Sequence, residues 1–498
     1  MRASGVLLPI FSLPGKYGIG CLSKGAYEFV KYLKKAGQTY WQILPVGPTS
    51  FGDSPYQSFS TFAGNPYFIS LESLIRQGLL DVEECEEADL GEDETDIDYG
   101  KLYENRYPLL RKAFHRSHIA TNIDFRRFKD RNRWWLQDYC LCMSIKDSED
   151  GASYQEWEEP LRLREREAPR SFAAKHKENM LFYAWLQYEF FLEWSRFKRF
   201  ANSQGIRIIG DIPIYVAEDS ADAWAKPELF QFDEDCRPIR VAGCPPDAFS
   251  ETGQLWGNPL YDWDYHAATG YKWWIRRMKA ALSMYDVVRI DHFRGFDSYY
   301  SIEAGAETAE DGYWEEGPGT DLFTVMSEEL GTLHVIAEDL GLITDSVREM
   351  VKDTGYPNMK VLQFAFDARE RKEGVEPNEY LPFAYDRNCV VYTGTHDNET
   401  LMGYLDGIGK AERKVILNYL GLRRGSDKDL AKGLIRAAMA STADTCIIPM
   451  QDYLYLGGEA RINTPSTVGE NWRWRLTGDM LTRKVRKQMK QLTKVYWR

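Results

Sequence analysis

"YKWWIRRMKAALSMYDVVRIDHFRGF", residues 271–296, holds the pattern that decides the fold. Its first half has the apolar spacing of an amphipathic helix, and the run that starts at Asp286 predicts a buried strand. A helix followed directly by an apolar strand is the repeating unit of a parallel sheet. The strand ends in charged residues, with Arg289, Asp291 and His292 close together, which an apolar core alone does not need.

The same alternation of helix and strand continues along the chain. Buried strands are predicted in seven runs: "QTYWQILPV" (38–46), "IRIIGDIPIYV" (206–216), "DVVRIDHF" (286–293), "LHVIAEDLG" (333–341), "MKVLQFAFD" (359–367), "CVVYTGTHD" (389–397) and "TCIIPMQDYL" (445–454). Spread over the full length, these runs favour an α/β fold of the (β/α)8 barrel type over an open doubly wound sheet. No GxGxxG loop follows the first run, which argues against a dinucleotide-binding fold.

Two stretches depart from this alternation, and we expect both to be insertions in a single catalytic barrel that spans residues 1–498. Residues from about 72 to 175 are charged and helical in pattern, which predicts a helical insertion whose acidic run faces solvent. Residues from about 216 to 271 are rich in Pro, Gly, Asn and Asp, so little regular structure is expected there. A long irregular loop at a barrel mouth is usually functional, so we place this second insertion over the site.

The charge and the aromatic content of the chain argue against some classes of partner and favour another. A formal net charge of -13 argues against nucleic acid or an anionic membrane surface as a partner. No apolar stretch approaches the roughly 20 residues that span a bilayer. The 15 Trp and 30 Tyr suit stacking on a neutral ligand such as a sugar.

The cysteines and the apolar run at the start of the sequence indicate the cellular compartment in which we expect the protein. The eight cysteines show neither a CxxC pair nor a Cys/His cluster, which predicts reduced thiols in the cytoplasm and no metal site. Pro9 and Pro14 interrupt the apolar run at the start of the sequence, so we do not expect it to be a secretion signal.

Four carboxylates fall at the ends of four predicted strands: Asp211, Asp291, Glu338 and Asp397. Strand ends meet at the barrel mouth, where chemistry is assembled from several strands. One such Asp is often only the N-cap of the next helix, but four at four strand ends favour a site. Strand alternation puts Arg289 on the same face as Asp291, and this cation is expected to lower the pKa of Asp291 and keep it ionised.

Two carboxylates with separated pKa values form a pair suited to glycoside chemistry, in which one attacks the anomeric carbon and the other protonates the leaving oxygen. Glu338 is the better proton donor, because the preceding "LHVIA" is largely apolar and desolvation raises a carboxyl pKa. Asp339 is expected to point to the opposite side and is not assigned to catalysis.

Eight motifs occur in order along nearly the whole chain: "SLPGKYGIG", "SPYQSFSTFAGNP", "GDIPIYV", "PPDAFSETGQLWGNPLYDW", "RIDHFRGF", "AEDLG", "GTHDNET" and "NTPSTVGENW". In these motifs the chain resembles the 4-alpha-glucanotransferases of glycoside hydrolase family 77, also called amylomaltases or disproportionating enzymes. The resemblance implies retaining transfer of alpha-1,4-glucan segments between malto-oligosaccharides, without a cofactor. It also implies Asp291 as nucleophile, Glu338 as acid/base and Asp397 as transition-state stabiliser.

The resemblance further implies a set of substrate-binding residues: Ser54, Tyr56, Asp211, Phe249, Glu251, Trp256, Asn258, Arg289, His292, Asp367, His396 and Asn463. In the loop from 245 to 258, Phe249 and Trp256 are expected to stack on the acceptor sugar and to exclude water. Ala248 stands where many relatives have Tyr, which leaves acceptor affinity open.

Two other functions remain open at this point. An alpha-amylase-like hydrolase would use the same barrel and the same three acids, but the 245–258 loop argues against it. An inactive glucan-binding protein would be expected to lack at least one of the three acids, and all three are present. The fold alone does not decide between these functions.

Overall fold

A computed structural model of the protein describes residues 2–50, 52–246, 250–366 and 378–498. Its strands, in chain order, are β1 (Ala3–Leu7), β2 (Tyr40–Gln42), β3 (Arg207–Pro213), β4 (Arg240–Cys244), β5 (Gln254–Pro259), β6 (Val287–Asp291), β7 (Ser298–Glu303), β8 (Tyr313–Glu316), β9 (Val335–Ala337), β10 (Asn358–Val361), β11 (Cys389–Tyr392) and β12 (Thr445–Pro449).

Eight of these strands form one sheet in the order β10-β11-β12-β1-β2-β3-β6-β9. All neighbouring pairs in it are parallel. Its two end strands approach each other, since the Ala337 N–H donates to the Pro357 carbonyl at 2.9 Å. The predicted (β/α)8 barrel is confirmed, and each of the seven predicted runs contributes a strand.

The eighth barrel strand, β1, is the strand of the barrel that the sequence pattern did not predict. Its residues, "ASGVL", include three small ones and lack a long apolar run, yet all five are buried between β12 and β2. Gly5 is required by this packing, because a Cβ there would lie 2.6 Å from the Tyr40 Cβ. At this position a glycine stands where a buried strand usually has a branched side chain, because the neighbouring strand approaches too closely for a Cβ.

The helices, in chain order, are α1 (Lys24–Lys35), α2 (Leu71–Arg76), α3 (Val82–Glu87), α4 (Tyr99–Ser117), α5 (Ile123–Ser148), α6 (Glu159–Arg162), α7 (Glu167–Lys175), α8 (Lys177–Ser203), α9 (Ala221–Ala225), α10 (Trp263–Ala268), α11 (Lys272–Met284), α12 (Gly319–Leu330), α13 (Asp345–Thr354), α14 (Leu401–Gly407), α15 (Lys410–Tyr419), α16 (Asp427–Ala440), α17 (Met450–Leu454) and α18 (Arg483–Tyr496). α11 shows how they cover the barrel: it buries Trp274, Met278 and Ala281 along one face.

The inside of the barrel has its own apolar layer. Side chains from six of the barrel strands meet there, two of them from β11: Leu7, Ile209, Ile336, Met359, Val390, Tyr392 and Ile447. Alternation along β3 and β6 then places Asp211 and Arg289 on the inner side toward the carboxyl ends, where they are register partners. Charged side chains therefore begin immediately beyond the apolar layer, toward the carboxyl ends of the strands.

Helices α2 to α7 lie between β2 and β3, in the range predicted to be a helical insertion. Much of this region packs on the main core, through Leu74, Leu102 and Phe125 among others. The division of residues 72–175 from the barrel as a subdomain stays a prediction.

The second insertion has more regular structure than expected. β4 and β5 pair antiparallel within residues 216–271 and join β7 and β8 in a four-stranded sheet of order β5-β4-β7-β8. The expectation of an irregular segment is therefore wrong. Pro245, Pro246 and Gly253 lie between these two strands in the sequence. β5 pairs with β4, and β4 also pairs with β7, which comes from farther along the chain.

Among the described residues, no helix combines the length and the apolar character that crossing a bilayer requires.

Candidate active site

A cavity of about 500 Å³ opens at the carboxyl ends of the barrel strands. The predicted residues that line it are Ser54, Tyr56, Trp256, Asn258, Arg289, Asp291, His292, Glu338, His396, Asp397 and Asn463. They come together because β6 ends in Asp291, β9 is followed at once by Glu338, and the loop after β11 carries His396 and Asp397. This is the assembly from several strand ends that a barrel provides.

Arg289 joins two carboxylates inside the barrel mouth. Its guanidinium lies 2.7 Å from Asp211 and 3.0 Å from Asp291, and the Arg289 side chain is almost fully buried. Tyr56 donates its hydroxyl to the same Asp211 oxygen at 2.9 Å. The prediction that Arg289 and Asp291 share a face is confirmed by this contact.

The pKa of Asp291 in the structure differs from the one that the sequence predicted. Burial raises this pKa above its usual range, and Arg289 lowers it by less than burial raises it. The cation is shared with Asp211, whose own pKa is also raised by burial. The prediction of a net lowering is therefore wrong, because it counted the cation without the desolvation of the site.

Glu338 is held by the backbone of two loops. One of its oxygens accepts the His292 N–H at 2.6 Å, and the other accepts the Leu340 N–H at 2.8 Å. Burial raises the pKa of Glu338 to about 8, and Asp291 adds to the rise while Arg289 opposes it. At neutral pH this group therefore keeps its proton, as the apolar approach of β9 predicted.

The two histidines of the cavity are neutral. Burial lowers the pKa of His292 to about 3, with help from Arg294, and burial also lowers the pKa of His396. The His396 Nε2 lies 3.2 Å from Asp397. A neutral imidazole both donates and accepts, so each ring suits a sugar hydroxyl.

His292 also has an unusual backbone. Its φ is 53°, in the left-handed region, at the start of the short 3-10 turn Phe293–Phe296. This conformation aims the His292 N–H at Glu338 and turns the ring into the cavity. Strain of this kind concentrates at functional sites.

Asp397 is fixed by the neighbouring loop of residues 461–466. The Asn463 amide donates to an Asp397 oxygen at 2.6 Å, and the Asn463 N–H donates to the His396 carbonyl at 3.1 Å. A family motif quoted from the sequence, "NTPSTVGENW", thus supplies a direct partner to one of the three acids.

Trp256 on β5 forms part of the cavity wall. Its ring meets the His292 ring edge-on at 4.8 Å between centroids, and its N–H donates to the Gln254 side chain at 3.1 Å. Asn258 is anchored at 2.7 Å to the Val216 carbonyl. The β4–β5 hairpin therefore brings an aromatic face to the edge of the site.

Comparison with known proteins identifies the family. A family model described as 4-alpha-glucanotransferase matches residues 8–482. The chain belongs to the 4-alpha-glucanotransferase family. It is 46% identical to the 4-alpha-glucanotransferase of Clostridium butyricum over 98% of this chain and 99% of that one. It is also 46% identical to the Thermus thermophilus enzyme over 95% of each chain.

A solved structure agrees with this assignment. The amylomaltase from Streptococcus agalactiae, in complex with acarbose, superposes with a TM-score of 0.95 at 39% identity, over 100% of both chains. The family resemblance found in the sequence motifs is thereby confirmed, and the chain is an enzyme of the glucanotransferase class.

Four predicted residues of this family member lie outside the cavity or outside the described chain. Asp211 is buried behind Tyr56 and borders an adjoining cavity of about 520 Å³. Glu251 is exposed, because the chain turns back at Gly253 with a φ of 72° before β5 begins. Glu251 does not line the cavity, and its predicted substrate contact stays a prediction. Phe249 and Asp367, like Ala248, fall outside the described residues.

Sequence reasoning did not single out several cavity residues of this glucanotransferase family member. Gln57, Tyr215, Gln254 and Trp472 all line the cavity. Gln57 exchanges amide hydrogen bonds with Asn258, and Trp472 lies 5.9 Å from the His396 ring. Each of them stands inside a motif that had been quoted, so proximity to the motif residues was the available signal.

Proposed function

We propose that the protein transfers alpha-1,4-glucan segments by a retaining double displacement, with a covalent glycosyl intermediate on Asp291. The observation that carries this proposal is the pairing of Asp291 with Arg289 beside a Glu338 whose pKa is about 8. One carboxylate is stabilised by a cation, and the other keeps a proton. These are the two states that a nucleophile and a general acid need.

In the first step, an Asp291 oxygen attacks the anomeric carbon of the donor. The glycosidic carbon–oxygen bond breaks, and Glu338 gives its proton to the leaving oxygen. In the second step, the 4-hydroxyl of an acceptor glucan attacks the same carbon and releases Asp291. The hydroxyl proton passes to Glu338, which returns both groups to their starting states.

Asp397 has the role of stabilising the positive charge that develops on the sugar ring between these steps. Its side chain is open to the cavity, and Asn463 holds one of its oxygens at 2.6 Å. A carboxylate fixed in advance needs no reorganisation when the charge appears. His292 and His396, both neutral, are placed to exchange hydrogen bonds with sugar hydroxyls.

Transfer to a sugar instead of water depends on what fills the acceptor side of the cavity. Trp256 offers an apolar face there, and its position against His292 places it next to the reacting groups. A pyranose ring stacked on that face displaces water from the route to the intermediate. We also propose that Phe249, which falls outside the described residues, assists Trp256.

The substrates we propose are malto-oligosaccharides and other alpha-1,4-glucans, and no step above requires a cofactor. The names of the relatives support this substrate class, as does the acarbose complex of the Streptococcus agalactiae amylomaltase. We place the enzyme in the cytoplasm, because its cysteine spacing does not suggest the disulfide framework of a secreted protein.

The covalent step is tested by trapping the intermediate. An alpha-maltosyl fluoride donor has a leaving group that needs little acid assistance, so Glu338→Gln is expected to form the glycosyl-enzyme and to release it slowly. Intact mass spectrometry should then show one added glycosyl unit, and peptide mapping should place it on Asp291. The same variant carrying Asp291→Ala is the control and should gain no mass. A label on another residue would overturn the proposed nucleophile.

A further inference from the structure

Arg461 lies just outside the cavity, at the junction of the two loops that carry Asp397 and Asn463. Its guanidinium donates to the Asp397 carbonyl at 2.7 Å and to the Asn463 carbonyl at 2.8 Å. A third nitrogen lies 3.4 Å from the Glu399 carboxylate. One side chain thus ties three residues on two loops, and the Arg461 side chain is only 24% exposed.

The two loops that Arg461 joins also bond to each other directly. The Asn463 side chain holds the Asp397 carboxylate at 2.6 Å, and the Asn463 N–H holds the His396 carbonyl at 3.1 Å. Arg461 therefore fixes the backbone on both sides of the hydrogen bond that aims Asp397. It is not among the residues that line the cavity.

We propose that Arg461 is a positioning residue for the transfer reaction, which sets the direction of the Asp397 carboxylate by clamping the carbonyls of Asp397 and Asn463. The proposal rests on the role of Asp397 proposed above and adds the residue that maintains it. Because Arg461 lies outside the cavity lining, it makes no direct contact with substrate, and its main effect falls on the transition state that Asp397 meets.

The choice of arginine follows from the geometry. Three acceptors surround one planar group, and a guanidinium presents donors in a fixed fork that matches them. A lysine ammonium has a similar charge but no such fork, so it cannot hold both carbonyls with the same directions. Arg461→Lys therefore keeps the charge beside Glu399 and removes the clamp.

The first test compares Arg461→Lys with Arg413→Lys in the full-length enzyme, using maltotriose as donor and acceptor. Arg413 in α15 is a matched control: it is 31% exposed, pairs with Asp427 and donates to the Gly425 carbonyl, and it does not line the cavity. Arg461→Lys is expected to lower kcat by about 10- to 100-fold with KM changed less than about threefold, since a small misplacement of a catalytic group has this cost. Arg413→Lys should keep kcat within about twofold of the wild type.

A purely structural role would give a different pattern. Both lysine variants would then lower the melting temperature and lose activity through the folded fraction, with kcat per folded enzyme unchanged. A thermal unfolding curve followed by circular dichroism gives that folded fraction at the assay temperature. A kcat per folded enzyme within about threefold of the wild type in Arg461→Lys would overturn the proposal.

A double-mutant cycle separates this inference from the proposed function. If Arg461 acts through Asp397, adding Arg461→Lys to Asp397→Asn should cost less than about threefold in kcat. If the losses of kcat in the two single variants instead multiply in the double variant, Arg461 acts independently of Asp397. That result would overturn the positioning role of Arg461 and leave the proposed role of Asp397 unaffected. An unchanged kcat in Asp397→Asn alone would instead overturn the role of Asp397, and the positioning proposal with it.

Discussion

Replacing Arg289 by methionine tests how the site keeps Asp291 ready to attack. The substitution keeps most of the side-chain length and removes the cation that lies 3.0 Å from Asp291 and 2.7 Å from Asp211. At the 3.0 Å separation from Asp291, an effective dielectric constant of about 20 gives an attraction of roughly 5.5 kcal/mol, or about 4 pKa units as an upper limit. Because the guanidinium is shared by two carboxylates, we expect the pKa of Asp291 to rise by about 1 to 3 units.

The pH profile of kcat/KM measures this shift. A nucleophile must be ionised, so activity is lost as the pH falls through the pKa of Asp291, and Arg289→Met should move this acid limb upward by about 1 to 3 units. The alkaline limb should also move upward, because Arg289 lowers the pKa of Glu338 in the wild type. The whole profile is therefore expected to shift toward alkaline pH.

Asp211→Asn is the matched variant for this experiment. It removes the second carboxylate that shares Arg289 and leaves the cation to Asp291, so its acid limb should stay at or below the wild-type position. The groups titrate as a coupled set, so the limbs are compared between variants and not assigned to single residues. An acid limb that moves less than about half a unit in Arg289→Met, or upward in both variants, would show that Arg289 does not lower the pKa of Asp291.

Three further predictions concern the acid, the acceptor side and the barrel. Wild-type kcat/KM should fall as the pH rises through about 8, near the pKa of Glu338, because the reaction needs the proton of this group. Glu338→Gln should lower the rate of transfer by at least about 100-fold. Asp339→Asn should keep the rate within a few-fold of the wild type and the alkaline limb within about half a pH unit. Trp256→Ala should raise the ratio of hydrolysis to transfer, measured as reducing ends formed per glycosyl group transferred, and an unchanged ratio would remove Trp256 from the shielding role. Gly5→Val should destabilise the fold by about 1 to 3 kcal/mol or more in a denaturant titration, because its Cβ would stand 2.6 Å from that of Tyr40, and a wild-type midpoint would contradict the packing described for β1.

The placement of the three acids could be predicted from the sequence because it follows from a local rule. A strand pattern ending in a carboxylate puts that carboxylate at the barrel mouth, whichever strands are neighbours. Asp291 and Glu338 obey this rule, and Asp397 follows on the loop after β11, which ends at Tyr392. All three line one cavity. The raised pKa of Glu338 was also predictable, because it depends mainly on the burial that an apolar strand implies.

Other features depend on contacts between distant parts of the chain, which a single sequence does not reveal. β1 is a strand because β12 and β2 pair with it on both sides, not because its own residues favour one. The β4–β5 hairpin is stabilised by β7 in the same way. The clamp of Arg461 on Asp397 joins residues 64 positions apart.

The electrostatic error at Asp291 has a similar origin. The sequence shows that Arg289 is two residues away, but not that Asp211 from β3 competes for it. Nor does the sequence give the degree of burial, which outweighs the cation here. A pKa argument needs all the neighbours of a group together with its exposure to solvent.

Transfer is tested most directly by the product ladder from maltotriose alone, with reducing ends counted in the same samples. We expect glucose together with maltotetraose, maltopentaose and longer chains, at a constant number of reducing ends, and loss of this pattern in Asp291→Ala. Rising reducing ends without longer products, or no products at all from the folded wild-type protein, would contradict the proposed transfer.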